Sequence, residues 1–189
     1  MTMNEPDRLQ DDLEFVRAAV ARSRDNRGAA AIYWLWAGIV GIGFSLGDFR
    51  PQWSLWFWTI AGLGGGLLSV WLGSRNDTER GVRDEQLSRR QGWHWLLCSI
   101  TMGLITGAMA LGKLPAQQGA VVLLAVTGLS YALAGIHLNA PMRWPGFAML
   151  AGSIWMLFWP MPWQWTMTGI VVAIALVAAG IFAAREPRA

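Results

Sequence analysis

The sequence predicts an all-α, polytopic integral membrane protein with six transmembrane helices and an amphipathic N-terminal helix. Only 14% of the 189 residues are charged, whereas soluble domains carry about 25%. A charge at the centre of a membrane helix costs roughly 2.5–3.5 kcal/mol, so long windows without Asp, Glu, Lys or Arg indicate spans. The expected spans are residues 29–47, 53–73, 93–112, 119–138, 144–160 and 165–184.

The fifth window is shorter than the others. About 20 helical residues are needed to cross a hydrocarbon core of about 30 Å. Five windows meet that length, but the fifth is short and contains Pro145. Three possibilities stay open for it: it crosses with little tilt, it extends past Pro160, or it re-enters without crossing.

The basic residues are distributed unevenly between the two sides of these spans. Thirteen arginines fall on one side: five in residues 1–28, five in residues 74–92, one in residues 139–143 and two near the C-terminus. The other side holds Arg50 and Lys113. Cytoplasmic loops carry an excess of Arg and Lys. We therefore expect both termini to be cytosolic, in a bacterial inner membrane, and six crossings rather than five.

The spans are expected to form three antiparallel hairpins. These cover 29–73, 93–138 and 144–184 within a transmembrane domain of residues 29–185. A cytosolic loop, residues 74–92, carries both signs of charge and is predicted to form a short solvated helix. Residues 186–189 form a cytosolic tail.

Residues 1–28 predict an amphipathic helix. Leu9, Leu13, Val16 and Val20 follow helical spacing, with acidic residues early in the segment and arginines late. That order suits the helix dipole. We expect this helix to lie on the cytosolic face of the membrane domain, or to bind a protein partner or a second copy of the chain.

Stripes of small residues recur within the spans, and they let helix backbones approach closely. They predict helix contacts within the chain or with a second subunit. The stripes are Gly62, Gly66, Ser69 and Gly73; Ser99, Gly103 and Gly107; and Gly128, Ala132 and Gly135.

Ionisable groups near the spans are few, and such groups are the usual sign of function in a membrane. Asp48 lies at the outer end of the first span, where we expect a helix cap or an ion pair. His94 opens the third span, His137 closes the fourth, and Cys98 lies one turn from His94. These three are candidate metal or haem ligands, although no carboxylate lies near them to complete a zinc site.

One segment carries a resemblance to a known family. The stretch Gly128-Leu129-Ser130-Tyr131-Ala132-Leu133-Ala134-Gly135 resembles the serine-bearing helix of rhomboid intramembrane proteases, which are also six-span proteins. The resemblance implies a partner histidine on the sixth span, but residues 165–184 contain none. Without a base Ser130 is not an activated nucleophile, and we expect it to bond a helix carbonyl or a neighbouring helix.

No catalytic constellation, phosphate-binding loop or cofactor motif is found in the sequence. The interpretation we favour is a small, non-enzymatic accessory, scaffolding or regulatory subunit that acts through helix–helix and cytosolic contacts. A transporter or channel for a small or apolar solute is one alternative. A metal- or haem-binding membrane protein that uses His94, His137 and Cys98 is another. The basic balance is a topology signal and does not indicate nucleic-acid binding.

Overall fold

The computed structural model describes residues 27–80 and 85–185, and its regular elements over those ranges are all helical. The predicted helix over 1–28 therefore lies outside the described residues, apart from Arg27 and Gly28, which open the first helix; the tail 186–189 lies outside as well. The elements are α1 (Arg27–Phe49), α2 (Pro51–Arg80), α3 (Glu85–Ala110), α4 (Ala116–His137), a 3-10 turn (Ala140–Met142), α5 (Arg143–Phe158) and α6 (Gln164–Arg185).

The all-helical prediction is confirmed, and five of the helices are compatible with membrane insertion. Helices α1, α2, α3, α4 and α6 are long and apolar enough to cross a bilayer. Large aliphatic side chains such as Leu67 of α2 and Leu104 of α3 are 74% and 70% exposed. Soluble proteins rarely expose contiguous apolar surface, so these helices are suited to lipid.

Helix α5 is short, as the short fifth charge-free window of the sequence predicted. It has 16 residues, which corresponds to about 24 Å. It ends at Phe158, two residues before the end expected for the fifth span, and Trp159 has φ −133° and ψ 71°. The ring of a proline disfavours helical backbone in the residue before it, so Pro160 stops the helix. At its other end the 3-10 turn leads directly into α5, so helical backbone runs from Ala140 to Phe158.

The segment 74–92 is not the separate short helix that the sequence predicted. Its first part continues α2 as far as Arg80, and its last part belongs to α3, which begins at Glu85. Helix α2 therefore has 30 residues, or about 45 Å, and is longer than a bilayer core of about 30 Å. The polar ends of α2 and α3 form helical extensions beyond their apolar portions.

Helix α6 lies at the centre of the bundle. It packs against α1 on one side and α5 on the other; α1 in turn packs against α2, and α5 against α4. Helix α3 packs against α4. The most deeply buried side chains include Val172 and Leu176 of α6. The described helices thus follow the spatial order α2, α1, α6, α5, α4, α3.

The outermost helices in this order, α2 and α3, are consecutive along the chain. They share at most a marginal contact among the described residues, although Glu85 follows Arg80 by only five positions in the chain. At 3.8 Å per residue these two positions lie within about 19 Å of each other. The order of helices therefore curves so that its two ends approach without packing.

Helices α1 and α6 run antiparallel with their backbones close together. Gly47 lies against the ring of Trp165, and Gly180 lies against the side chains of Tyr33 and Trp34. Halfway along the pair, a Cβ atom at Gly41 would lie 3.9 Å from the Cβ of Ala173. Since these contacts pair the end of α1 with the start of α6, the first and last helices align along most of their length.

Helices α4 and α5 form the second close pair, and here the predicted small-residue contact is confirmed. A Cβ added at Gly128 would lie 2.9 Å from the backbone nitrogen of Leu150 and 3.0 Å from the carbonyl oxygen of Gly146. A Cβ added at Gly146 would meet the backbone of Ala132. Because the neighbouring atoms are backbone, they cannot move aside as a side-chain tip would.

We expect Gly128→Val to destabilise the bundle more than Gly38→Val does. Both changes introduce the same β-branched residue into a helix, but Gly38 has no atom within 4 Å of its notional Cβ. Overpacking costs about 1–3 kcal/mol, and this difference should appear in unfolding of the purified protein in mixed micelles. Equal stability of the two variants would contradict the close α4–α5 contact.

Candidate functional site

The charged side chains that the structure describes lie near helix ends or in connections, away from the middle of the apolar helices. Ionised groups are expensive in hydrocarbon and are expected at its borders unless they are functional. Those with described side chains are Asp48, Arg50, Arg75, Glu85, Arg89, Arg90, Lys113, Arg143 and Arg185. Candidate sites are therefore sought at the helix ends and among neutral polar groups.

Asp48 caps the N-terminus of α6 from the last turn of α1. Its Oδ2 atom accepts hydrogen bonds from the backbone N–H of Thr166 at 2.7 Å and from the Thr166 hydroxyl at 2.8 Å. Thr166 is in the first turn of α6, where backbone N–H groups have no helical partner. A carboxylate there is also favoured by the helix dipole. Asp48 was expected to form either a helix cap or an ion pair. Its hydrogen bonds to Thr166 are those of a cap.

Aromatic rings surround this capped end of the bundle. Phe49 contacts Trp163 with ring centroids 4.7 Å apart, and Phe44 contacts Trp58 and Trp165. Trp163 is the last residue of the connection between α5 and α6, and its backbone is in the left-handed region, with φ of 64°. The capped end therefore joins α1, α2 and α6.

The second polar region lies between α3 and α4. The Nε2 atom of His94 lies 3.1 Å from the carbonyl oxygen of Ser130, to which it donates, and 3.8 Å from the sulfur of Cys98. The ring of Trp95 packs edge-on against His94 and against Tyr131 of α4. His94 and Cys98 are both partly buried. We call this region, defined by His94, Cys98 and Ser130 with their neighbours, the α3–α4 seam.

His137 lies apart from the α3–α4 seam. It is exposed at the end of α4, two helical turns, or about 10 Å, beyond Ser130. The structure therefore brings His94 and Cys98 together and does not bring His137 to them. Among residues 27–80 and 85–185, no three His, Cys, Asp or Glu side chains lie close enough to hold a metal ion.

Ser130 makes the bond expected of a serine within a helix. Its hydroxyl donates to the carbonyl oxygen of Val126 at 2.8 Å, the usual bond of serine to the preceding turn. His94 contacts the carbonyl oxygen of Ser130 and not its hydroxyl. The arrangement is therefore not that of a serine–histidine nucleophile pair.

The predicted packing stripes on α2 and α3 are mostly open. Ser69 accepts a hydrogen bond from the indole N–H of Trp36 at 3.0 Å, which joins α2 to α1. A Cβ added to any of the glycines in these stripes would have nothing within 4 Å, and Ser99 is exposed. The open glycines are Gly62, Gly66, Gly73, Gly103 and Gly107.

The glycine of α2 that does contact α1 was not singled out by the sequence. A Cβ added at Gly65 would meet Ile39 and Trp36, and Gly65 lies one turn before Ser69 on the same face. Its spacing of four from Ser69 and seven from Trp58 is the available signal. The adjacent glycines at 64 and 66 obscure it, because the sequence does not fix how the helix is rotated about its axis.

Comparison with known proteins gives no relative from which a function could be transferred. The chain matches no protein-family model, no curated protein and no solved structure. A functional proposal must therefore come from the contacts and open surfaces of the chain itself.

We expect Asp48→Ala to lower the stability of the purified protein. Loss of a capping side chain costs about 1 kcal/mol, and here the cap also joins the first helix to the last. Thr166→Val, which removes the hydroxyl and keeps the backbone N–H, should cost less. Thermal unfolding in detergent measures both. An Asp48→Ala variant as stable as the parent protein would show that the cap does not hold the helices together.

Proposed function

We propose that the chain crosses a bacterial inner membrane six times as three antiparallel hairpins, with both termini in the cytosol. Two observations support this proposal: the 13 basic residues assigned to one side against two on the other, and the packing of α1 on α2, α3 on α4 and α5 on α6. The fifth crossing would be made by α5 together with the preceding 3-10 turn. Helical backbone over residues 140–158 approaches the required length.

We propose further that the protein is a non-enzymatic accessory, scaffolding or regulatory subunit that binds another membrane protein or a second copy of itself. The observation that carries this proposal is the open space over the small-residue stripes of α2 and α3. Lipid-facing positions favour large aliphatic side chains, whereas small residues let helices approach.

The chain itself shows what such a stripe does when a helix covers it. On α4, Gly128 and Ala132 lie against the backbone of α5 at Gly146. The stripes Gly62–Gly73 and Ser99–Gly107 likewise consist of Gly and Ser at intervals of three or four residues. They lie on the helices with the least burial, since α3 has no buried residue and Gly65 is the one fully buried residue among the described side chains of α2. These two helices therefore offer the surface for contact with a transmembrane helix of another protein or of a second copy of the chain.

The cytosolic side of the proposed topology adds a polar surface to this apolar one. The ends of α2 and α3 carry Arg75, Glu85, Arg89 and Arg90, and the amphipathic segment 1–28 would lie on the same side. Mixed charges of this kind favour specificity and association rate more than affinity. The loop 74–92 and residues 1–28 are thus the proposed cytosolic docking elements.

Blocking the open stripes should reduce partner binding without unfolding the protein. We expect Gly66→Ile and Gly103→Ile to reduce the recovery of co-purified membrane protein, or of a self-associated form, by about tenfold or more, because one bulky side chain separates helices that pack through glycine. The measurement is affinity capture of the full chain from native membranes, followed by mass spectrometry and native electrophoresis.

The matched control for this test is Gly38→Ile, which places the same side chain at an open glycine of α1 outside the stripes. It should leave capture unchanged. If the three variants and the parent protein recover the same partners in the same amounts, the stripes are lipid-facing and the proposed mode of action is wrong.

The topology predicts the behaviour of reporter fusions. Alkaline phosphatase is active only after export, so a fusion after Lys113 should be active and a fusion after Arg185 inactive. The positive-inside distribution is the reason for this expectation. An active fusion at Arg185 would mean an odd number of crossings and would contradict the six-span topology.

A further inference from the structure

The exposed faces of α2 and α3 carry the same three-residue pattern near the connection between the two helices. Each has a leucine, a tryptophan and an arginine at successive intervals of four positions, with the arginine nearest the connection. These residues are Leu67, Trp71 and Arg75 on α2, and Leu97, Trp93 and Arg89 on α3. Residues at this spacing are neighbours on one face of a helix. We refer to the two sets as the α2 ladder and the α3 ladder.

Each ladder faces away from the helix against which its own helix packs. Ser69 of α2 accepts a hydrogen bond from α1, and Trp71 follows it by two positions, or about 200° of rotation. Trp95 of α3 packs against α4, and Trp93 precedes it by two positions. Since α2 and α3 stand at the two ends of the curved helix order, the ladders border the opening that remains between them.

The two ladders lie at similar distances from the connection, and all six of their side chains are exposed. Arg75 comes five positions before the end of α2, and Arg89 comes four positions after the start of α3. These intervals correspond to about 7.5 and 6 Å along the helix axes. The opening therefore has one arginine on each side at nearly the same level, with a tryptophan and a leucine following toward the apolar parts of the helices.

The order of charges along the two helices places positive charge next to the apolar parts. The first charged residue beyond the apolar part of α2 is Arg75, and on α3 Arg90 and Arg89 come first. The acidic residues of the segment come farther along, at Asp77, Glu79, Asp84 and Glu85. Tryptophan rings favour the headgroup level of a bilayer, so the arginines one turn beyond them are level with lipid phosphates. The positive-inside rule explains their side of the membrane, but not their alignment with tryptophan on one face of each helix.

A contact within the α2 ladder positions its arginine at the border of the apolar surface. The guanidinium of Arg75 lies over the ring of Trp71, 5.7 Å from the centroid, at the distance of a cation–π interaction. On α3 the ring of Trp93 leans toward Arg89, because helical side chains lean toward the N-terminus of their helix. A guanidinium matches the geometry of a phosphate, to which it donates two parallel hydrogen bonds.

We propose that the two ladders form a binding site for one anionic phospholipid in the opening between α2 and α3. The headgroup binds Arg75 and Arg89, and the acyl chains pack along Leu67 and Leu97 below the tryptophan rings. Basic pockets between membrane helices on the cytoplasmic side bind anionic headgroups in this way. The site rests on α2 and α3 spanning the membrane with their connection in the cytosol, and it does not depend on the proposed accessory role.

The test is lipid binding by the purified full-length protein, measured by native mass spectrometry and by thermal unfolding in mixed micelles. Phosphatidylglycerol and cardiolipin are the anionic probes, and phosphatidylcholine is the zwitterionic one. We expect the chain to retain one anionic lipid and to be stabilised by the anionic probes only. A basic residue near an anionic lipid surface changes affinity by about fivefold. Arg75→Gln combined with Arg89→Gln should therefore weaken binding by about twentyfold or more.

The matched control variant is Arg143→Gln. The guanidinium of Arg143 lies 5.2 Å from the centroid of the Trp144 ring at the start of α5, so it forms the same kind of pair on the same proposed side, away from the opening. This variant should bind lipid as the parent protein does. Inorganic phosphate and glycerol phosphate, which lack acyl chains, should not displace the lipid. The comparison of anionic with zwitterionic lipid uses the unaltered chain, so it does not depend on how well the variants fold.

Four results would overturn the proposal. Equal binding of phosphatidylcholine and the anionic lipids would mean an ordinary lipid annulus. An equal loss of binding in Arg143→Gln and in the double variant would mean a general attraction between surface charges. Displacement of the lipid by inorganic phosphate would mean a site for free anions. Loss of a co-purified protein from the double variant, with lipid binding unchanged, would mean that the ladders bind a protein.

Discussion

The antiparallel pairing of the first helix with the last is the constraint on which the rest of the structure depends. Helix α6 carries the most deeply buried aliphatic side chains and contacts both α1 and α5, and the other helices follow outward from this pair. Close backbone approach along α1 and α6 and the Asp48 cap at one end align the two helices. Their contact joins the two ends of the chain, and the packing of α2 on α1, of α5 on α6, of α4 on α5 and of α3 on α4 places the other helices around it.

The forces available in lipid explain why the helices differ so much in packing. Lipid tails are as apolar as aliphatic side chains, so helices associate through close packing and hydrogen bonds rather than through burial of apolar surface. The pairs α1–α6 and α4–α5 use glycine contacts, whereas the α3–α4 seam uses His94 and Met102 against hydroxyl and carbonyl groups. The tightly packed helices form the scaffold, and the surfaces that remain available lie on α2 and α3.

Most helices could be predicted from the sequence, because the cost of placing a charge in the hydrocarbon core keeps Asp, Glu, Lys and Arg out of the membrane-spanning segments. The fifth span was expected to reach residue 160, and α5 ends two residues earlier, at Phe158. The helical extensions of α2 and α3 were not predicted, because charged residues mark the edge of the lipid and do not mark the end of a helix. The rotation of α2 is not encoded locally, so Gly66 was favoured over Gly65. The register of α3 on α4 places His94 opposite Ser130 and Met102 opposite Thr127, which leaves His137 about two turns away; the hydrophobic pattern of the two helices does not specify this offset.

The pairing of α1 with α6 can be measured most directly by disulfide cross-linking in a Cys98→Ser background. Gly41→Cys combined with Ala173→Cys should form an intrachain disulfide under mild oxidation, because the two Cβ positions lie 3.9 Å apart, within the range of about 3.5–4.5 Å that a disulfide requires. Gly38→Cys with Ala173→Cys should not, since the Cβ position at Gly38 faces open space. Cross-linking of the second pair as fast as the first, or of neither, would contradict the pairing and the helix order built on it.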